Sequence, residues 1–202
     1  MSLLPDDATF HERVQDLFTT YRGRGVSLSG DDIDLVDEWA RAEVPFEVVA
    51  RGIRAAAERA IFDAPEGQGQ LRFLRACRKT VDAELAKYLK RAAGKTEAAH
   101  AVESLHEARH QKLQAVVKKL AKERPALARL SLPLPKDFDE ADRQEHLVLA
   151  AIVRTLPFPE RLSMLREAKR LRHGSSGATR RDSLRFHRGA LLRHRLALPA
   201  FW

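Results

Sequence analysis

One cysteine, Cys77, is all the thiol chemistry the chain has, so an internal disulfide framework and a multi-cysteine zinc site are both excluded. Aromatic residues are scarce, at 6%. No apolar run approaches the roughly 18 residues that cross a bilayer. The opening MSLLPDDATFHER has neither the basic start nor the apolar run of a secretory leader. No glycine-rich loop carries the Lys-Ser/Thr that cradles phosphates; residues 22–25 and Gly67-Gln68-Gly69 both lack it. No segment alternates apolar and polar residues for long, so no sheet is expected. A cytoplasmic, bacterial protein without a cofactor and without a membrane partner is the expectation.

Apolar residues make up 44% of the 202, enough to bury a core and too many for a disordered chain. The net charge of +8 is unevenly spread. Residues 1–66 hold 7 Lys/Arg against 14 Asp/Glu, and residues 67–130 hold 15 against 6. Residues 131–160 hold 3 against 6, and residues 161–202 hold 11 against 2. An acidic first third therefore precedes two basic blocks. Such asymmetry points to a polyanion, an acidic protein surface or the chain's own acidic part.

The apolar spacing predicts an all-α protein. Phe10, Val14, Leu17, Phe18 and Tyr21 share one helical face, with Asp6 or Asp7 as its cap. Ser29 followed by Asp32 reads as a capping box for a helix burying Ile33, Val36, Trp39 and Ala40. Pro45 suits the first turn of a third helix through Val48, Val49, Ile53, Ala56, Ala57, Ala60 and Ile61. After a break at residues 65–69, a fourth helix is expected to about Ala93, with Leu71, Leu74, Cys77 or Arg78, Val81, Leu85, Tyr88 and Leu89 inward. A fifth runs from about Thr96 to Arg124 on a stripe that includes Leu105, Arg109, Leu113, Val116 and Leu120. Residues 130–136 read as a linker or an extended segment. A sixth helix starts at Asp137 or Asp139, and its apolar centre at residues 147–153 makes it the most buried element expected. A basic helix over 160–173, a joint at 174–177 and a last helix from Thr179 to the Leu198-Pro199 end complete the reading. The organisation expected is a helical bundle over 1–95, a long central helix over 96–130 and a smaller basic C-terminal unit over 131–202.

Three features could carry chemistry. His106-Glu107-Ala108-Arg109-His110 matches H-E-x-x-H, which on a helix sets two imidazoles one turn apart with a carboxylate base, as in zinc hydrolases. Arg109 inside the motif, and no third ligand at a familiar spacing, favour an ordinary solvated helix with Glu103–His106 and Glu107–His110 contacts. Arg109 reads as a snorkelling side chain, the alternative being a buried pair with a carboxylate of the first third. Cys77 lies beside Arg75, Arg78 and Lys79, which would lower a thiol pKa, but a lone cysteine on a helical face is usually core.

The basic runs are the stronger signal. Arg72, Arg75, Arg78 and Lys79 cluster near the start of the fourth helix. Arg166, Lys169, Arg170, Arg172, Arg180, Arg181, Arg185 and Arg188 follow in the tail. Arginine suits phosphate through its bidentate fork, and such contacts bind nucleic acid with little sequence preference. The expected function is non-enzymatic binding of nucleic acid. The alternative is an interaction scaffold or homodimer that pairs the acidic third with a basic surface. The closing Leu196-Ala197-Leu198-Pro199-Ala200-Phe201-Trp202 is apolar enough to dock on the core or on a partner.

Residues 18–85 also have a cadence: Phe18 and Tyr21 close one helix, Leu28-Ser29 opens another carrying Trp39, a proline-led helix follows with Val48, Val49 and Ile53, and then Phe73, Leu74, Cys77 and Val81. This resembles the helical C-terminal domain of DnaD-type bacterial and phage replication proteins. The resemblance implies a DNA-binding accessory role in replication without catalysis, with Arg72, Arg75, Arg78 and Lys79 near the DNA.

Overall fold

The protein is all-α. The computed structural model describes residues 8–22, 27–63, 71–93, 98–171 and 177–201, with the side chains of 98–104 and 177–178 excepted. Among the described residues there are eight α-helices, two short 3-10 turns and no strand. The expected caps Asp6 and Asp7, the break at 65–69, residues 174–176 of the joint, and Arg172 and His173 lie outside them.

The chain divides into two compact units: Ser2–Thr96 with Lys169–His187, and Glu97–Ala168 with Arg188–Trp202. The long fifth helix shares a unit with the sixth, and the middle of the basic tail belongs to the N-terminal bundle.

In the first unit, α1 (Phe10–Arg22) begins with Thr9 and Glu12 exchanging side-chain to backbone hydrogen bonds, a reciprocal cap. Helix α2 (Gly30–Arg41) opens on the expected Ser29–Asp32 capping box. It buries Leu35, Val36 and Trp39, while Ile33 is 46% exposed. The expected inward place of Ile33 is thus a register error by one position of the helical wheel, and Asp32 points inward in its stead. The Asp32 carboxylate explains that choice. Besides closing the box with the Ser29 N–H at 3.4 Å, it accepts the Arg75 N–H at 3.2 Å and so caps the 3-10 turn Leu74–Cys77 as well.

Helix α3 (Phe46–Phe62), with Pro45 at its N-cap, lies between α1 and α4 (Arg78–Ala92). Val48, Val49, Ile53, Ala56 and Ala57 are buried as the spacing predicts. Gly52 permits the close crossing: a Cβ there would lie 2.5 Å from Val81 Cα. The fourth helix starts later than expected, because Leu74–Cys77 forms the tighter 3-10 turn. Leu71, Leu74, Cys77, Val81 and Tyr88 are buried, and Leu89 is exposed. Within this unit the first half of α8 (Gly177–Arg195) sets the Phe186 ring 4.2 Å from that of Tyr21.

The second unit is built on α5 (Ala98–Ala121) and α6 (Phe138–Thr155), joined through the 3-10 turn Pro125–Arg129. Asp137 caps α6 by accepting the Glu140 N–H at 2.7 Å. Val148, Leu149, Ile152 and Val153 are buried, but Leu147 is 63% exposed. The apolar centre, from which α6 was expected to be the most buried helix, is therefore one-sided. Helix α7 (Phe158–Leu171) follows Pro157 directly. In the second half of α8, Gly189 lies against α6, where its Cβ position is 3.0 Å from a Leu149 methyl. Of the apolar ending, Phe201 is buried at 1% exposure, and Trp202 lies outside the described residues.

Candidate nucleic-acid interface

The basic residues of the fourth-helix region are all exposed. Two of them face carboxylates of the acidic third. Arg75 Nη1 is 3.4 Å from Asp31 Oδ2 and its guanidinium lies 4.8 Å from the Phe73 ring centre. Arg78 pairs with Glu38. Arg72 and Lys79 take no part in these pairs. Exposed pairs of this kind hold weakly, about 0–1 kcal/mol, but the α2 carboxylates make this a face of mixed sign.

The first half of α8 is different. Ser183, Phe186, His187 and Ala190 are buried at i, i+3, i+4 and i+7. Phe186 is fixed by Tyr21, and the His187 Nδ1–H donates to the Ser183 carbonyl at 2.7 Å. With the inward stripe settled, Arg180, Arg181 and Arg185 are forced to the exposed side. Asp182, 2.8 Å from Arg185 Nη1, is the one carboxylate within the described residues of α8. Lys169 and Arg170, in the last turn of α7, are exposed in the same unit. Arg166 is exposed and Arg188 half-buried in the other unit, and Arg172 lies outside the described residues.

The H-E-x-x-H segment takes a structural place. His106 and His110 are both buried, and Glu107 is exposed. The Gln114 amide donates to His110 Nε2 at 2.8 Å, so the expected Glu107–His110 contact is replaced by one a turn further on. Glu103 lies among residues whose side chains are not described. Among the described residues no three His, Cys, Asp or Glu side chains are grouped to hold a metal ion.

Arg109 corrects the snorkelling expectation. It is 4% exposed, and its Nη2 lies 2.8 Å from Glu145 Oε2 and 3.3 Å from Asp142 Oδ1. Glu145, 1% exposed, receives Arg193 Nη1 at 2.8 Å on its other oxygen. The partner carboxylates come from α6 and not from the acidic first third. Burying a charge demands such pairing, and one carboxylate between two guanidiniums supplies it. Spacing showed Arg109 inside an apolar stripe; no local signal marked Glu145 or Arg193.

Cys77 is fully buried. Burial, with the Asp32 carboxylate adding to it, pushes its thiol pKa up. The neighbouring cations point outward and do not activate it.

One more feature was not legible in the sequence. A cleft of about 330 Å³ lies among α6, α7 and Arg188 of α8. Val153, Leu162 and Leu165 line it, with Arg154, Arg161 and the 66% exposed Phe158. No carboxylate lines it. Compared with known proteins, the chain matches no family model, no curated protein and no solved structure.

Proposed function

We propose that the protein is a non-enzymatic nucleic-acid-binding protein whose phosphate grip is the exposed arginine row of α8. The observation that carries this reading is the placement of Arg180, Arg181 and Arg185 opposite the buried Ser183–Phe186–His187 stripe, with one carboxylate among them. Lys169 and Arg170 add charge in the same unit. Guanidiniums on a rigid helix face lose little freedom when they meet phosphates, and released counterions drive the association. The cadence of residues 18–85 that resembles DnaD-type domains supports a place in replication or DNA maintenance. The mixed face at Arg72, Arg75, Arg78 and Lys79 is then a secondary contact.

The test is fluorescence anisotropy with labelled single- and double-stranded DNA and RNA at about 50 and 200 mM salt. Binding that falls by orders of magnitude between the two salts supports the reading. The combined variant Arg180→Gln, Arg181→Gln and Arg185→Gln is expected to reduce the salt slope by about 2–3. No binding at the lower salt overturns it.

A second reading has its own support. The Asp31–Arg75 and Glu38–Arg78 pairs join the acidic third to the first basic block within one chain. The same complementarity between two chains would make an interaction scaffold or homodimer. Sedimentation of the protein alone across the same salt range distinguishes it: a charge-paired assembly forms at the lower salt without nucleic acid and dissociates at the higher.

A further inference from the structure

We infer that the cleft between α6 and α7 binds a nucleotide unit of single-stranded nucleic acid, its base against Phe158 and its phosphates on Arg154, Arg161 and Arg188. This rests on the nucleic-acid reading and deepens it by naming a strand type.

The cleft joins two surfaces of opposite character. Its floor is aliphatic, from Val153, Leu162 and Leu165. Its charged lining is wholly cationic, from Arg154, Arg161 and Arg188. An apolar surface beside cations fits a ligand with a flat or apolar body and an anionic edge. At about 330 Å³ it falls at the small end of ligand sites, room for one such body.

Phe158 and Arg161 narrow the class. Phe158 opens α7 between Pro157 and Pro159, and its ring is 66% exposed while lining the cleft. The Arg161 guanidinium lies 5.8 Å from the ring centre, and its Nε is buried with no hydrogen-bond acceptor among the described residues. A buried N–H without an acceptor is costly, and an incoming phosphate oxygen would satisfy it. An aromatic ring beside guanidiniums is the arrangement on which single-stranded bases stack while the backbone is held by charge. In a duplex the base faces are already stacked on their neighbours and cannot reach Phe158.

The experiment compares a fluorescein-labelled oligothymidylate with a labelled duplex of equal length, on the full chain and on Phe158→Ala, Phe158→Trp and Arg161→Gln. Phe158→Ala is expected to weaken the single strand roughly tenfold or more and to leave the duplex unchanged. Phe158→Trp should restore binding, with tryptophan fluorescence quenched by the stacked base. Arg161→Gln should weaken the single strand and flatten its salt dependence. Both positions are at the surface or its edge, and circular dichroism of each variant confirms that it is folded. Equal loss on single strand and duplex, or no loss from Phe158→Ala, overturns the cleft while leaving the α8 grip standing. No binding of either nucleic acid overturns both. Displacement of a bound anionic dye by decanoate but not by the oligonucleotide overturns the nucleotide in favour of an acyl anion.

Discussion

Glu145 holds Arg193 at 2.8 Å on one carboxylate oxygen and Arg109 at 2.8 Å on the other, with all three side chains at 5% exposure or less. One buried carboxylate thus serves α5, α6 and α8 within a single unit. Glu145→Ala would remove the carboxylate that the two buried guanidiniums share, while Asp142 stays near Arg109. The expected loss is about 3–5 kcal/mol, read from urea or thermal unfolding. The combined change Arg109→Met, Glu145→Leu and Arg193→Met removes the charges together and is expected to cost far less than Glu145→Ala alone. Equal losses would refute the pairing.

Gly52 lies under Val81, and the space for a side chain is closed by backbone. Gly52→Ala would bring its methyl to 2.5 Å from Val81 Cα and 2.7 Å from Val81 N. A loss of about 2 kcal/mol or more is expected. Val81→Ala should not rescue it, since the contacts to Cα and N remain; recovery in the double variant would contradict this geometry.

The Asp32 carboxylate ties α2 to the Leu74–Cys77 turn. Ser29→Ala removes the cap to the Asp32 N–H and is expected to cost about 1 kcal/mol. Asp32→Ala should cost more than Ser29→Ala, because the Arg75 N–H loses its acceptor too. Unfolding midpoints of the two variants give the ranking directly.

Two helices end on residues with positive φ, Glu43 at 50° and Ala197 at 46°. Each carries the paired C-terminal bonds of a left-handed cap: Val44 N–H to the Trp39 carbonyl, and Leu198 N–H to the Arg193 carbonyl. Glycine adopts this conformation without strain. Glu43→Gly is therefore expected to stabilise by about 0.5–1 kcal/mol despite the added freedom of the unfolded chain. A lowered melting temperature would argue against it.

Cys77 should resist thiol reagents in the native protein and react on unfolding, because burial keeps it protonated and inaccessible. Its pKa is raised in the fold, so above the ordinary thiol value of 9.0 only the unfolded chain releases the proton. Stability is then expected to fall as pH rises past that value. Cys77→Ala should lose this part of the alkaline decline, at the cost of a small cavity.

Apolar spacing alone settled the helices, since burying one stripe of a 3.6-residue repeat is a local requirement. The Ser29–Asp32 box and the Asp137 cap were readable for the same reason: a cap acts within one turn. Ile33 and Leu147 were misplaced because a wheel shows which residues are apolar and not which neighbour arrives. What lay beyond one helix needed the tertiary structure. Arg109 was visible as a charge in an apolar stripe, but 36 residues separate it from Glu145 and 48 separate Glu145 from Arg193, and no local rule joins them. The sequence also held the basic composition of the tail. Which arginines meet solvent was decided by the Tyr21–Phe186 contact, which fixes how α8 is turned. The cleft beside Phe158 arises only where α6, α7 and Arg188 converge, because a concave surface is a property of several elements together.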